Sequence, residues 1–182
     1  HSTSRRQRQM CIRDRVFVTG YNYANLRHSI QWNVLGWRNE KRNLGPGDYV
    51  FVYDSDNHKI DVGFKILARS ANDKPIWEEE IKSEQQKHEF PFRWDVEVIC
   101  ENLNIDLKTI NQFEPFKEMV SKKFIPLVRN NFPSSIDEDK YSSFRNFLLS
   151  SCKVQKKAVT QESFFVLRTE DDTKWRDKEG QE

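Results

Sequence analysis

Glycine and proline are scarce, six of each in 182 residues, and no glycine-rich run is present to cradle a phosphate. The chain has no HExxH pair and no Gly-x-Ser-x-Gly elbow, so the zinc-peptidase, P-loop and serine-hydrolase signatures are all missing. Its histidines are scattered, with His58 inside the polar turn "SDNHK" (55–59). "WEEEIKSE" (77–84) brings four carboxylates together, and a solvated charged surface accounts for them. The expectation is a non-catalytic chain with no cofactor and no metal. Cysteine is equally sparse, at three. Cys100 lies in a strand-like run and Cys152 near the end of a helix-like one, a spacing with no metal signature and no disulfide framework. No apolar run reaches membrane-spanning length, and none reads as a secretion signal. Two reduced thiols in a cytoplasmic protein are expected.

An excess of charge of one sign is also missing, once a local anomaly is set aside. "RRQRQMCIRDR" (5–15) is the most basic run of the chain and would suit an arm that tracks phosphates. However, "RRQRQMCIRD" is also the translation of a common transposase-type sequencing adapter. Residues 1–15 are therefore expected to be an artefact, with the natural chain beginning near Val16. Removing five arginines and one aspartate from 30 basic and 28 acidic residues leaves 25 and 27, a net charge of −2 rather than +2. Global charge then argues for no partner, and any nucleic-acid binding must come from a local patch.

What is present is a succession of strand signals with few helices. "VFVTG" (16–20) reads as a first strand and "YANLRHSIQW" (23–32) as a helix. "GPGDYVFVY" (45–53) is a turn feeding a strand buried on both faces. "DVGFKILARS" (61–70) is its partner, with Gly63 marking a bulge or a close backbone approach. "FPFRWDVEVIC" (90–100) alternates cleanly, with Phe92, Trp94, Val96 and Val98 on one face and Arg93, Asp95 and Glu97 on the other. Residues 104–120 read as a loop ending in a short helix. Residues 134–151 open with a helix-capping pattern and place Ile136, Tyr141, Phe144, Leu148 and Leu149 near one face. Residues 152–163 read as a linker, and 164–182 as the truncated start of a second unit. The fold class expected is α+β, a small, curved, mixed sheet with helices outside it.

Aromatics are plentiful, with five Trp and thirteen Phe, and not all have an obvious place in a core. Trp94 belongs to the alternating strand, Trp37 reads as packing for a short helix, and Trp175 belongs to the tail. Trp32 closes the first helix beside Asn33. Trp77 sits in "NDKPIWEEE" with Ile76 as its one apolar neighbour. A tryptophan so placed is either a lid on the core or a platform for a ligand, and local sequence leaves both open.

The order "TGYN", "QWNV", "GPGDYVFVY", "VGFKILARS", "KPIWEEE", "FPFRWDVEVI" resembles the EVE domain over about residues 16–151. EVE domains are a branch of the PUA-like superfamily, related to the YTH readers of N6-methyladenine. The resemblance rests on Trp32 standing about fifteen residues before the Gly47–Asp48 turn and on "FPFR" (90–93) leading into a strand. It implies a PUA-like fold, an open β-barrel flanked by helices. It also implies a module that flips a modified base (N6-methyladenine or a modified cytosine) into an aromatic cage.

Carried onto this chain, Trp32 and Trp77 are the cage walls and Asn22 and Asn33 the polar contacts. His88 or Phe90 supplies a third wall, and Lys122, Lys123, Arg129 and Arg93 hold phosphates. The implied partner is nucleic acid, DNA before RNA, with no membrane. The implied setting is the specificity domain of a McrB-type or nuclease-fusion restriction protein, its GTPase or nuclease effector lying beyond residue 182. The departures are the extra Trp94 and an acidic loop over 78–89, which would repel phosphate. An RNA-binding PUA-like module linked to RNA modification is the alternative, and a small-ligand or protein-interaction domain is a third reading.

Overall fold

The computed structural model describes residues 15–40, 43–83, 88–114, 116 and 139–155. Strand β1 (Val16–Tyr21) passes through Asn22 straight into helix α1 (Tyr23–Trp32). Asn22 Oδ1 accepts the Asn25 N–H at 2.8 Å, a side-chain cap for one of the helix's orphan donors. Helix α1 stops at Asn33, which is in the left-handed conformation (φ 54°, ψ 43°) with its N–H returned to the Ser29 carbonyl. Asparagine tolerates that region better than most residues. The chain is thereby turned into β2 (Val34–Trp37).

Next come β3 (Tyr49–Asp54), β4 (Lys59–Arg69), the single turn α2 (Glu78–Ile81), β5 (Phe92–Cys100), β6 (Ile105–Asp106) and α3 (Leu107–Ile110). A 3-10 turn at Asp139–Tyr141 runs into helix α4, over 142–155. The bend before β3 is built from Gly45-Pro46-Gly47-Asp48. Gly47 has φ 89°, Asp48 N–H bonds the Gly45 carbonyl, and Asp48 Oδ2 accepts the Gly45 N–H at 2.8 Å. Proline second and a positive-φ glycine third match a type II turn.

The strands form one sheet in the order β1-β3-β4-β5-β2, with β6 beside the start of β4. The β1–β3 pair is parallel and all other pairs are antiparallel. β1 and β2 stand at opposite ends of that order, yet the sheet curls until their side chains meet. Trp37 Nε1 donates to Thr19 Oγ1 at 3.1 Å. The Tyr21 hydroxyl donates to the Gly36 carbonyl at 2.6 Å and accepts the Gly36 N–H at 3.0 Å. The result is an α+β half-barrel closed by side chains rather than by a ladder.

Alternation along the strands sorts the core into two layers. Val50 and Val52 of β3 face inward with Phe17, Leu35, Phe64, Ile66, Trp94 and Val96. Phe51 and Tyr53 face outward onto Phe116 and onto Tyr141, Phe144 and Leu148, at and within the start of α4. Each such side chain buried completely contributes roughly 1.5–3 kcal/mol. Gly63 is both things its sequence position suggests. The β4–β5 register shifts beside it, and a Cβ there would lie 2.7 Å from Cys100 Sγ.

Several sequence expectations are corrected. Trp37 ends a strand, not a helix, and is buried. The 104–120 segment opens with β6 and α3 instead of a loop; α3 is capped by Asp106, whose carboxyl is held below the usual range by bonds from the Thr109 backbone and hydroxyl. The cysteines are not two separate thiols. Cys100 at the end of β5 and Cys152 on α4 form a disulfide, with 5.6 Å between their Cα atoms. Curling of the sheet and docking of α4 create that proximity across 52 residues, a distance at which spacing carries no signal. Helix α4 runs through 155, past the expected boundary at Ser151, with Cys152 buried in its packed face. Ile136 and the segment 156–182 lie outside the described residues. Among the described residues, no helix is long and apolar enough to cross a membrane, and no group of His, Cys, Asp or Glu is placed to hold a metal.

Candidate functional site

The residues singled out in sequence fall into two separate places. The first is a buried polar staple around Trp77, which is 1 % exposed. Its Nε1 donates to Ser29 Oγ at 2.8 Å, and Phe90 meets its ring edge-on at 5.2 Å. The Arg93 guanidinium lies 5.1 Å from its ring centroid. Gly36 closes another side, since a Cβ built there would overlap Cη2 and Cζ3 of the indole. A ring enclosed in this way has no free face for a base.

Arg93 is consumed by the same staple. Its Nε donates to the Phe90 carbonyl and Nη1 to the Asn72 and Lys74 carbonyls. Nη2 reaches both oxygens of Glu80 at 2.7 and 2.8 Å and lies 3.3 Å from His88 Nδ1. Glu80, expected on a solvated face, is 1 % exposed and also accepts the Ile76 and Phe90 N–H groups. A buried pair satisfied on every side holds its geometry, and removing one partner typically costs about 3–5 kcal/mol. Asn25 adds a second tie, its amide donating to Glu79 and its carbonyl accepting the Glu78 N–H. Together these contacts clamp the 70–83 segment between α1 and β5. The signal that would have found the staple is the pairing of "WEEE" with the arginine of "FPFR".

The second place is an open groove of about 530 Å3, in the size range of small-ligand sites. It is lined by Trp32 and Asn33 at the end of α1, Leu67 of β4 and the 95–98 stretch of β5. Trp32 is 43 % exposed, whereas Trp37, Trp77 and Trp94 are each at most 8 % exposed. Leu67, 48 % exposed, falls where the β4–β5 register shifts, and the bulge re-aims it to the surface. The Asn33 carbonyl accepts the Val96 N–H at 2.9 Å, which holds the end of α1 against β5. Asp95 and Glu97 supply acceptors at the groove. Sequence reasoning placed them on the outward face of β5 without linking them to Trp32.

Of the other singled-out residues, Asn22 is occupied as the α1 cap. Phe90 packs on Trp77, and His88 is exposed beside Arg93. No ring contact joins Trp32 to Trp77 among the described residues. Lys122, Lys123 and Arg129 lie outside the described residues. The Tyr21 hydroxyl, hydrogen-bonded to Gly36, is pushed well above the usual tyrosine range by burial, against the lowering effect of that bond.

No family model matches the chain, and no curated protein matches it. Among solved structures it is similar to the Pho92 YTH domain, whose crystal structure is in complex with m6A. The TM-score is 0.48 at 12 % identity, over 74 % of this chain and 82 % of that one.

Proposed function

We propose that the chain is a non-catalytic nucleic-acid-binding module that holds one unstacked, modified base against Trp32. We propose further that the ligand is DNA, read as the specificity part of a modification-dependent restriction system. The observation that carries this reading is the exposure of Trp32. It is a large aromatic left 43 % open over a groove, while every other described tryptophan is packed away. An aromatic ring accepts any base face, and each such stack contributes roughly 1–3 kcal/mol. The order of motifs from "TGYN" to "FPFR" supports the same reading through its resemblance to EVE domains. Trp77 is left in the core, so the site has one aromatic wall, with Asn33 and the β5 carboxylates as its polar side.

The test is a fluorescence-anisotropy titration of matched DNA and RNA oligonucleotides, single- and double-stranded. Each carries adenine, N6-methyladenine, cytosine, 5-methylcytosine or 5-hydroxymethylcytosine at one position. Trp32→Ala should weaken binding by about tenfold or more and erase the preference for the modified strand. Tighter binding of RNA than DNA would replace the restriction setting with the RNA-modification one. Binding unchanged by Trp32→Ala would return the chain to the small-ligand or protein-interaction class. Trp77→Ala is a poor probe, because it opens a cavity in the staple and lowers stability whatever the ligand.

A further inference from the structure

Resting on the base-reading proposal, we infer that the groove selects bases by an exocyclic amino group, with Asp95 as the main acceptor and Glu97 beside it. Asp95 and Glu97 alternate with the buried Val96 and so share the outer face of β5. Neither carboxylate makes a hydrogen bond or ion pair among the described residues. Three other carboxylates of the fold are occupied: Asp54 accepts three bonds within its own turn, and Glu79 and Glu80 hold Asn25 and Arg93. Lys65 stands opposite Glu97 in the β4–β5 ladder, whereas Asp95 faces Ala68 on one side and Val34 on the other. Asp95 is therefore the carboxylate with no cation across either ladder, and no lysine or arginine lines the groove.

An ionised carboxylate is an acceptor only. Facing the groove, two of them repel a phosphate and favour a ligand that arrives donor first. The amino groups of adenine and cytosine are donors at the base edge, whereas the oxo groups of thymine, uracil and hypoxanthine are acceptors. N6-methyladenine keeps one N–H and 5-methylcytosine keeps two, so both remain ligands. N6,N6-dimethyladenine keeps none and is excluded. The carboxylates thus set the class of base, while Trp32 supplies stacking that is indifferent to it.

The test uses the full chain, so that any contribution of the basic residues 5–15 is common to every ligand and cancels in ratios. Single strands identical except at one central position carry adenine or hypoxanthine, cytosine or uracil, and N6-methyladenine or N6,N6-dimethyladenine. Wild type should prefer the amino member of each pair by about five- to tenfold. Asp95→Asn, which keeps size but adds a donor, should bring the ratio close to one without weakening the oxo strands. Equal binding of amino and oxo strands by wild type, with Trp32→Ala still weakening both, would overturn the amino selection and leave the stacking reading standing. Affinities insensitive to both Trp32→Ala and Asp95→Asn would overturn the two together.

Discussion

At the scale of single residues, Gly36 is the pivot of the closure. Tyr21 grips its peptide groups from β1, and the Trp77 indole occupies the space a side chain would need. The Tyr21 hydroxyl is neutral when protonated, and burial raises its folded pKa above the roughly 10 of an unfolded tyrosine. Its contribution is therefore complete below about pH 10 and is lost as pH rises towards the folded value. Tyr21→Phe leaves two buried peptide groups of Gly36 without their partner and should cost about 1–3 kcal/mol at pH 7. Above pH 10 the gap between wild type and variant should narrow, by up to about 1.4 kcal/mol per pH unit. Urea midpoints at pH 7, 9, 10.5 and 11.5 measure it, and a gap constant across that range would contradict the assignment. None of this is visible in "VFVTGY" or "VLGW", because both partners depend on two sheet edges meeting around a curl.

At the scale of elements, legibility follows length and alternation. β3 and β5 can be read from sequence because six and nine residues with a two-residue period leave little choice. β2 cannot, since four residues with a glycine among them carry no period, and Trp37 then reads as packing for a short helix. The Gly-Pro-Gly-Asp turn is legible because its chemistry is local; the Asn22 cap is not, since the resemblance gave Asn22 to the base contact. The disulfide is not, because it joins the last residue of β5 to the last turn of α4, on elements whose packing is tertiary. It restrains a 52-residue loop, which in the chain-entropy account stabilises by about 4 kcal/mol. Phe144 and Leu148 hold α4 to the sheet independently. Reduction, or Cys152→Ser, should therefore lower the urea midpoint while leaving the far-ultraviolet circular dichroism in place. Alkylation of the denatured chain, followed by mass spectrometry, checks the pairing. One label without reductant, on Cys11, and three with it are expected, whereas three labels in both cases would rule the bridge out.

At the scale of the whole molecule, charge decides what binding has to look like. The 182 residues carry a net +2, but residues 1–15 hold five arginines against one aspartate, and the remainder is net −2. Of the cations first assigned to phosphate, Arg93 is locked to Glu80 in the interior. The groove itself is lined by carboxylates. The proposed base reading therefore cannot rely on a broad electrostatic track; it requires a few phosphate contacts and a base held by stacking and hydrogen bonds. Each phosphate neutralised on duplex DNA steepens the dependence of log K on log salt by about 0.9. A chain beginning at Arg15 keeps the carbonyl that accepts the Tyr49 N–H and the side chain that reaches Asp48. Compared with the full chain, it loses Arg5, Arg6, Arg8 and Arg13. Its salt slope should be shallower by up to about 3.6, and its affinity correspondingly lower at 50 mM salt. Its ratio of modified to unmodified base should not change, because those arginines meet phosphates that every sequence shares. Replacing Lys122, Lys123 and Arg129 together should flatten the slope further by up to about 3, again without touching the ratio, while Trp32→Ala should do the reverse. A base preference that vanished with residues 1–14 would mean that the arm, and not the curled sheet, does the reading.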